Sequence, residues 1–240
     1  LLFQDTLISL TPSDAFDNTT LTWRWSDPKK VDSLWIYTPA QCRIRRSTAA
    51  NRSDSLLGTE FVTDDGNLYN GKIEMMEWKY VQKRPMLMPF VRAAGQAPND
   101  FLIKLPYPTP PSSRYPQVPT AFAAGEKQVS IGYDEQPQQL AGWWMADVLW
   151  IVVPGYVSEL NPKDSYYNYG RQIIWYDQTT FDPVWKVIYN RSGEYWRTNC
   201  LIKDVPYYNS PTGRITGATR SLMGVAADDK LNRGTIAFTG

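Results

Sequence analysis

Apolar and polar residues alternate with period two along much of this 240-residue chain and rarely recur at helical spacing. That is the pattern of strands in a sheet. Residues 21–25 place Trp23 and Trp25 on one face, and residues 34–38 bring Trp35 and Tyr37 together in the same way. Residues 72–81 divide into Ile73, Met75 and Val81 on one side and Met76, Trp78 and Tyr80 on the other. Both faces of that strand are partly apolar, which suits a curved sheet covered on one side and holding something on the other. Further strands are predicted at 147–153, 172–177, 184–190, 194–203 and 235–238, all but the last rich in Ile, Val, Tyr or Trp. Asp65-Gly66-Asn67 and Asn70-Gly71 supply residues that tolerate positive φ, and Asn190-Arg191-Ser192-Gly193 reads as a hairpin loop between two strong strands. Beyond Phe90 the alternation dissolves into Pro106, Pro108, Pro110, Pro111, Pro116 and Pro119, which cannot donate to a sheet ladder. A long Pro-rich loop over 105–119, crossing one face of the sheet, is expected, with an interdomain linker as the alternative. Neither half of the chain carries a complete strand set, so 1–240 is read as one β domain.

Charge and composition narrow the function. With 25 Lys plus Arg against 24 Asp plus Glu, the net charge of +1 leaves no field to attract nucleic acid. The chain contains no His, which removes Ser-His-Asp and Cys-His catalysis, imidazole zinc sites and the usual pH switch near neutrality. Ten Trp and fifteen Tyr supply large amphipathic rings suited to strands and ligand grooves. No stretch approaches the roughly 20 apolar residues of a helical membrane span. Carboxylate-pair glycan chemistry would suit the aromatic content, but no pair is placed by the sequence.

Four constellations stand out. Arg43, Arg45 and Arg46, with Arg52 nearby, form the densest basic cluster; guanidinium forks there could hold a phosphate or carboxylate, or simply face solvent. Asp64-Asp65 beside Gly66 lacks the carboxylate spacing of a calcium loop and reads as a turn. Cys42 and Cys200 have no Cys-x-x-Cys spacing, which argues against a metal or redox site and leaves a disulfide and two free thiols both open. Met75, Met76, Met86 and Met88, near Trp78 and Phe90, make an adaptable apolar set. No metal or cofactor is predicted.

The order of motifs resembles the DUF1329 family. The resemblance is carried by Trp35-Ile36-Tyr37-Thr38-Pro39 leading into Arg43-Ile44-Arg45-Arg46, then Asp64 or Asp65, Leu68-Tyr69-Asn70-Gly71, Glu77-Trp78-Lys79 and Lys83-Arg84-Pro85-Met86-Leu87-Met88-Pro89. It continues through Tyr169, Arg171, Ile174-Trp175-Tyr176-Asp177 and Tyr189-Asn190-Arg191-Ser192-Gly193-Glu194-Tyr195-Trp196. The resemblance implies an exported, outer-membrane lipoprotein-related protein of a Gram-negative bacterium. It also implies the fold of the carriers LolA and LolB, a strongly curved antiparallel half-barrel that holds acyl chains. Two departures are Cys42, where the family pattern often has Arg, and a length below that of typical members, as if an amino-terminal portion of the sheet were missing.

The expectation is therefore a mainly β protein, a LolA/LolB-like half-barrel with few short helices and a long Pro-rich loop. It would be a non-enzymatic binder or carrier of a lipid or other hydrophobic small molecule, in the periplasm or at the outer membrane. Alternation selects Trp35, Tyr37, Met76, Trp78, Trp150 and Trp175 as lining residues, with Arg43, Arg45 and Arg46 set against a head group. The alternative is an interaction protein whose curved sheet docks on an envelope transporter or outer-membrane protein.

Overall fold

The computed structural model describes residues 1–10, 13–47, 50–90, 149–204, 207–209, 215–217 and 220–238. The Pro-rich loop expected at 105–119 lies outside them. Thirteen strands and four short 3-10 turns make up the described elements. The first four strands, β1 (Phe3–Ile8), β2 (Thr19–Arg24), β3 (Ser33–Thr38) and β4 (Arg43–Ser47), form an antiparallel sheet in chain order. Trp23 is the hub of its aromatic face, with ring centroids 6.1 Å from Trp25 and 4.9 Å from Trp35, both edge-on. Residues 50–75 then run through three 3-10 turns, Ala50–Ser53, Thr63–Leu68 and Ile73–Met75.

The larger sheet is an antiparallel meander. The long strand β5 (Met76–Phe90) pairs with β6 (Leu149–Pro162), followed by β7 (Gln172–Asp177), β8 (Pro183–Tyr189) and β9 (Tyr195–Asp204). Strands β10 (Tyr207–Asn209) and β11 (Ile215–Gly217) pair only with each other, while β12 (Arg220–Asp228) adds to β9 and β13 (Arg233–Phe238) to β12. β9 also bridges back to β5 at Phe90–Lys203, so the β5–β9 meander curls until its first and last strands meet at one point. The architecture is mainly β with few short helices, as the alternation predicts.

Small residues permit the curl. A Cβ on Gly155 would lie 3.1 Å from the Arg84 carbonyl and 3.2 Å from both the Met86 sulfur and the Tyr176 carbonyl. Gly170 is tighter still, because a Cβ there would come within 2.3 Å of the Asn190 carbonyl. That close approach lets the Gly170 N–H donate to the Tyr189 carbonyl at 2.8 Å and seats residues 167–170 against the β8–β9 hairpin.

One strand departs from its expected course. Residues 72–81 are predicted as a single alternating strand, but Ile73–Met75 is a 3-10 turn and β5 starts at Met76. Lys72 holds the preceding chain in place by donating to the carbonyls of Trp25, Asp27 and Lys30 at 2.6–2.9 Å. A β-bulge between Tyr80 and Gln82 then inserts one extra residue into the pairing with β6. Because side chains alternate with period two, the insertion exchanges the faces of everything beyond it.

Candidate functional site

Register sorts the larger sheet into two faces. The first carries Met76, Trp78 and Tyr80 opposite Leu160 and Ser158, then Gln172 and Ile174, Lys186 and Ile188, Arg197 and Asn199, and finally Asp228. Residues 50–75 and 167–169 cover much of it. Val62, Met76, Leu160, Tyr167, Tyr169, Ile174 and Ile188 form one buried cluster there.

Charges are embedded in that cluster. The side chains of Lys186 and Asp65 are both fully buried and meet at 2.7 Å. The second oxygen of Asp65 accepts from Tyr169 Oη at 2.9 Å and from the Val62 N–H at 3.0 Å. Asp64 accepts from Arg52 Nε at 2.6 Å on one oxygen and from Tyr167 Oη at 3.0 Å on the other. Arg52 and Arg24 both reach Asp32, at 3.4 and 2.8 Å, and both donate to the Asn70 carbonyl. Burial opposes the charge on Arg52, but Asp64 beside it prevails and holds the guanidinium pKa above its ordinary value. Burial, reinforced by the neighbouring carboxylate charge, pushes the phenols of Tyr167 and Tyr169 up. Both hydroxyls therefore stay protonated and donate. The adjacent aspartates are a turn, as their spacing predicts, and their oxygens are engaged by cations, phenols and a backbone N–H. Arg52 and Lys186 thus have structural partners inside the protein.

The second face holds no such network. It carries Met86 and Met88 on β5, Val153, Gly155 and Val157 on β6, Trp175 on β7, Trp185 on β8, Cys200 and Ile202 on β9, and Met223 and Val225 on β12. Trp175 and Trp185 are direct cross-strand partners and both are half-buried. The Trp185 indole donates to the Leu87 carbonyl at 2.6 Å, crossing from β8 to β5 where the sheet curls back. Burial pushes the Cys200 thiol well above its usual pKa, so it behaves as an apolar side chain. Both cysteines are free, Cys200 buried and Cys42 exposed.

The predicted lining residues do not converge. Trp35 and Tyr37 lie on the four-stranded sheet, half-buried. Met76 is buried in the charged cluster, while Trp78 on the same face donates its indole N–H to the Ile73 carbonyl at 2.8 Å and meets Tyr69 edge-on. Trp175 occupies the opposite face, and Trp150 lies on β6 with its side chain outside the described set. Register and topology are the physical reason: Gln172, opposite Leu160, shares the face of Met76 and Trp78, so Trp175 three positions on takes the other, while Trp35 and Tyr37 belong to the smaller sheet. Alternation missed Trp185, although a second tryptophan in a strand that pairs with β7 was visible in the sequence. Arg43, Arg45 and Arg46 are exposed on β4 and make no ion pair among the described residues; Arg45 donates to Gln41 at 3.1 Å and Arg46 lies 5.9 Å from the Trp35 ring centre.

The pattern of the family described as "Protein of unknown function (DUF1329)" matches residues 2–221. The chain belongs to the DUF1329 family. Its two embedded aspartates, Tyr169 and the β8–β9 hairpin therefore belong to the DUF1329 stretch of the chain. Among solved structures, the chain is similar to a domain from Vibrio parahaemolyticus described as an outer membrane lipoprotein-sorting protein, at TM-score 0.56 and 15% identity over 98% of this chain and 71% of that one. It is similar to a DUF1329 family protein from Desulfovibrio piger at TM-score 0.55 and 11% identity, covering 96% of this chain and 66% of that one. A LolA superfamily protein from Nitrosomonas europaea aligns at TM-score 0.46 and 12% identity over 94% and 64%. At these identities the likeness is one of fold. No curated protein matches the chain.

Proposed function

We propose that this DUF1329 protein is a non-enzymatic binder or carrier of a lipid or other hydrophobic molecule, working in the periplasm or at the periplasmic side of the outer membrane. Its ligand lies against the second face, along Met86, Met88, Trp175 and Trp185. The observation that carries this reading is the directly paired, half-buried Trp175 and Trp185 beside two methionines. Methionine is unbranched and polarizable and adapts to varied apolar shapes, and paired indoles add broad apolar contact. A lipid placed there gains roughly 0.8 kcal/mol per buried CH2, with no need of catalysis. The absence of His from the chain and the lipoprotein-sorting description of the Vibrio relative support the same reading. Arg43, Arg45 and Arg46 are proposed head-group contacts, as exposed cations of β4.

The test is organic extraction of gently purified protein followed by mass spectrometry, with an unrelated periplasmic protein as control. A stoichiometric lipid or hydrocarbon is expected, and Trp175→Ala with Trp185→Ala should lower its retention while the chain remains folded. An empty extract, or unchanged retention in the folded double variant, would overturn the reading.

A further inference from the structure

Beyond the bulge, the first face leaves its covering behind. Tyr80, Leu87 and Val152 are exposed there at 59%, 54% and 63%, with Lys83 on the same side of β5. Lys83 Nζ stands 5.4 Å from the centre of the Tyr156 ring, and Tyr80 approaches the same ring at 6.4 Å. Residues 80–90 and 149–158 contain no carboxylate, and of their two cations Lys83 lies on this side while Arg84, opposite Gly155, lies on the second face. Lys83 is exposed and makes no ion pair among the described residues.

The loop after β7 adds one more ring. Phe181 is 68% exposed, lies flat on Tyr156 with centroids 5.8 Å apart, and has a φ of 60°. For a bulky side chain that backbone region is strained, and such strain persists where the surroundings impose it. Here Asp177 imposes it. Its carbonyl accepts from the Phe181 N–H at 2.8 Å, its N–H donates to the Asp182 carbonyl at 2.9 Å, and its carboxylate accepts from Thr180 Oγ1 at 2.9 Å. A rigid turn thus holds a phenylalanine out of the core.

We infer that this surface docks on an anionic lipid bilayer, with Phe181, Tyr80, Leu87 and Val152 entering the head-group layer and Lys83 meeting phosphates. The chemistry selects a lipid surface over a protein partner. Rings with hydroxyl tips and a lysine stem lying along a ring suit a graded boundary between apolar and wet phases. The core of a protein interface is poor in lysine. The inference is independent of what the second face binds, because it concerns the opposite side of the sheet.

The experiment is flotation of the full chain with vesicles of mixed phosphatidylethanolamine and phosphatidylglycerol, and with phosphatidylcholine vesicles alone. Binding to the anionic vesicles, released by salt, is expected. Lys83→Gln should weaken it about five-fold while leaving the melting temperature unchanged. Phe181→Gly should weaken binding yet keep or raise the melting temperature, since glycine adopts this backbone without strain. A ring needed for packing would lower the melting temperature instead. Equal flotation of all three proteins, absence of flotation with either vesicle, or binding of a purified envelope protein by this surface without vesicle binding would each overturn the inference.

Discussion

The two faces of the larger sheet achieve burial by opposite means. On the first, Lys186, Asp65, Tyr169, Asp64, Arg52 and Tyr167 are fixed by directional contacts of 2.6–3.0 Å. On the second, Met86, Met88, Val153, Val157, Cys200 and Ile202 are buried by apolar contact, and Asp177, the buried carboxylate opposite Gly155, accepts from Thr179 and Thr180 of its own turn. Directional contacts admit one arrangement, because each misplaced partner leaves a charge or hydroxyl unsatisfied in a poorly polarizable interior. Apolar contact is non-directional, so the second face tolerates a change of contents that the first would not. The difference separates a face that fixes the fold from one able to receive a guest.

The largest expected effect comes from breaking the buried pair. Lys186→Met leaves Asp65 charged and unpaired, and should cost about 3–5 kcal/mol in a denaturant titration. Replacing both, Lys186→Met with Asp65→Leu, should recover part of the loss; a double variant as weak as the sum of the singles would mean that the pair is not coupled as drawn. Tyr169→Phe removes one hydroxyl from the network and should cost about 1.5–3 kcal/mol, since the acceptor is a charged carboxylate that keeps its Val62 and Lys186 contacts. Met88→Leu conserves volume on the second face and should cost under about 1.5 kcal/mol by the same titration. If it costs as much as Tyr169→Phe, the second face is as exacting as the first and the contrast fails.

Much of this architecture is legible in the sequence. Strand β7 occupies the predicted residues 172–177, β3 begins one residue before its prediction, and Asn190-Arg191-Ser192-Gly193 closes the β8–β9 hairpin with Gly193 at a φ of 83°. Strand β1 is exposed along all six residues, so no face is written into its pattern. Strand β12 is built on Gly224, Ala226 and Ala227, residues with little strand preference, and forms because β9 and β13 flank it. The site was harder to read for a geometric reason. One extra residue near Val81 reverses the alternation of β5, and nothing in Tyr80-Val81-Gln82 announces it. The buried cation was readable in principle, since Lys186 stands between Val184 and Ile188 on the inward positions of β8.

The junction between the two sheets has an uneven relation to mutation. Arg24 and Arg52 share the carbonyl of Asn70, and Lys72 is held by the carbonyls of Trp25, Asp27 and Lys30. Every acceptor in those contacts is main chain, present whatever residue occupies the position. A substitution scan of this junction should therefore find side-chain identity constrained at the three donors and, for these contacts, free at the four acceptors. Such a seam can drift in sequence on one side while the geometry that joins the sheets is inherited unchanged.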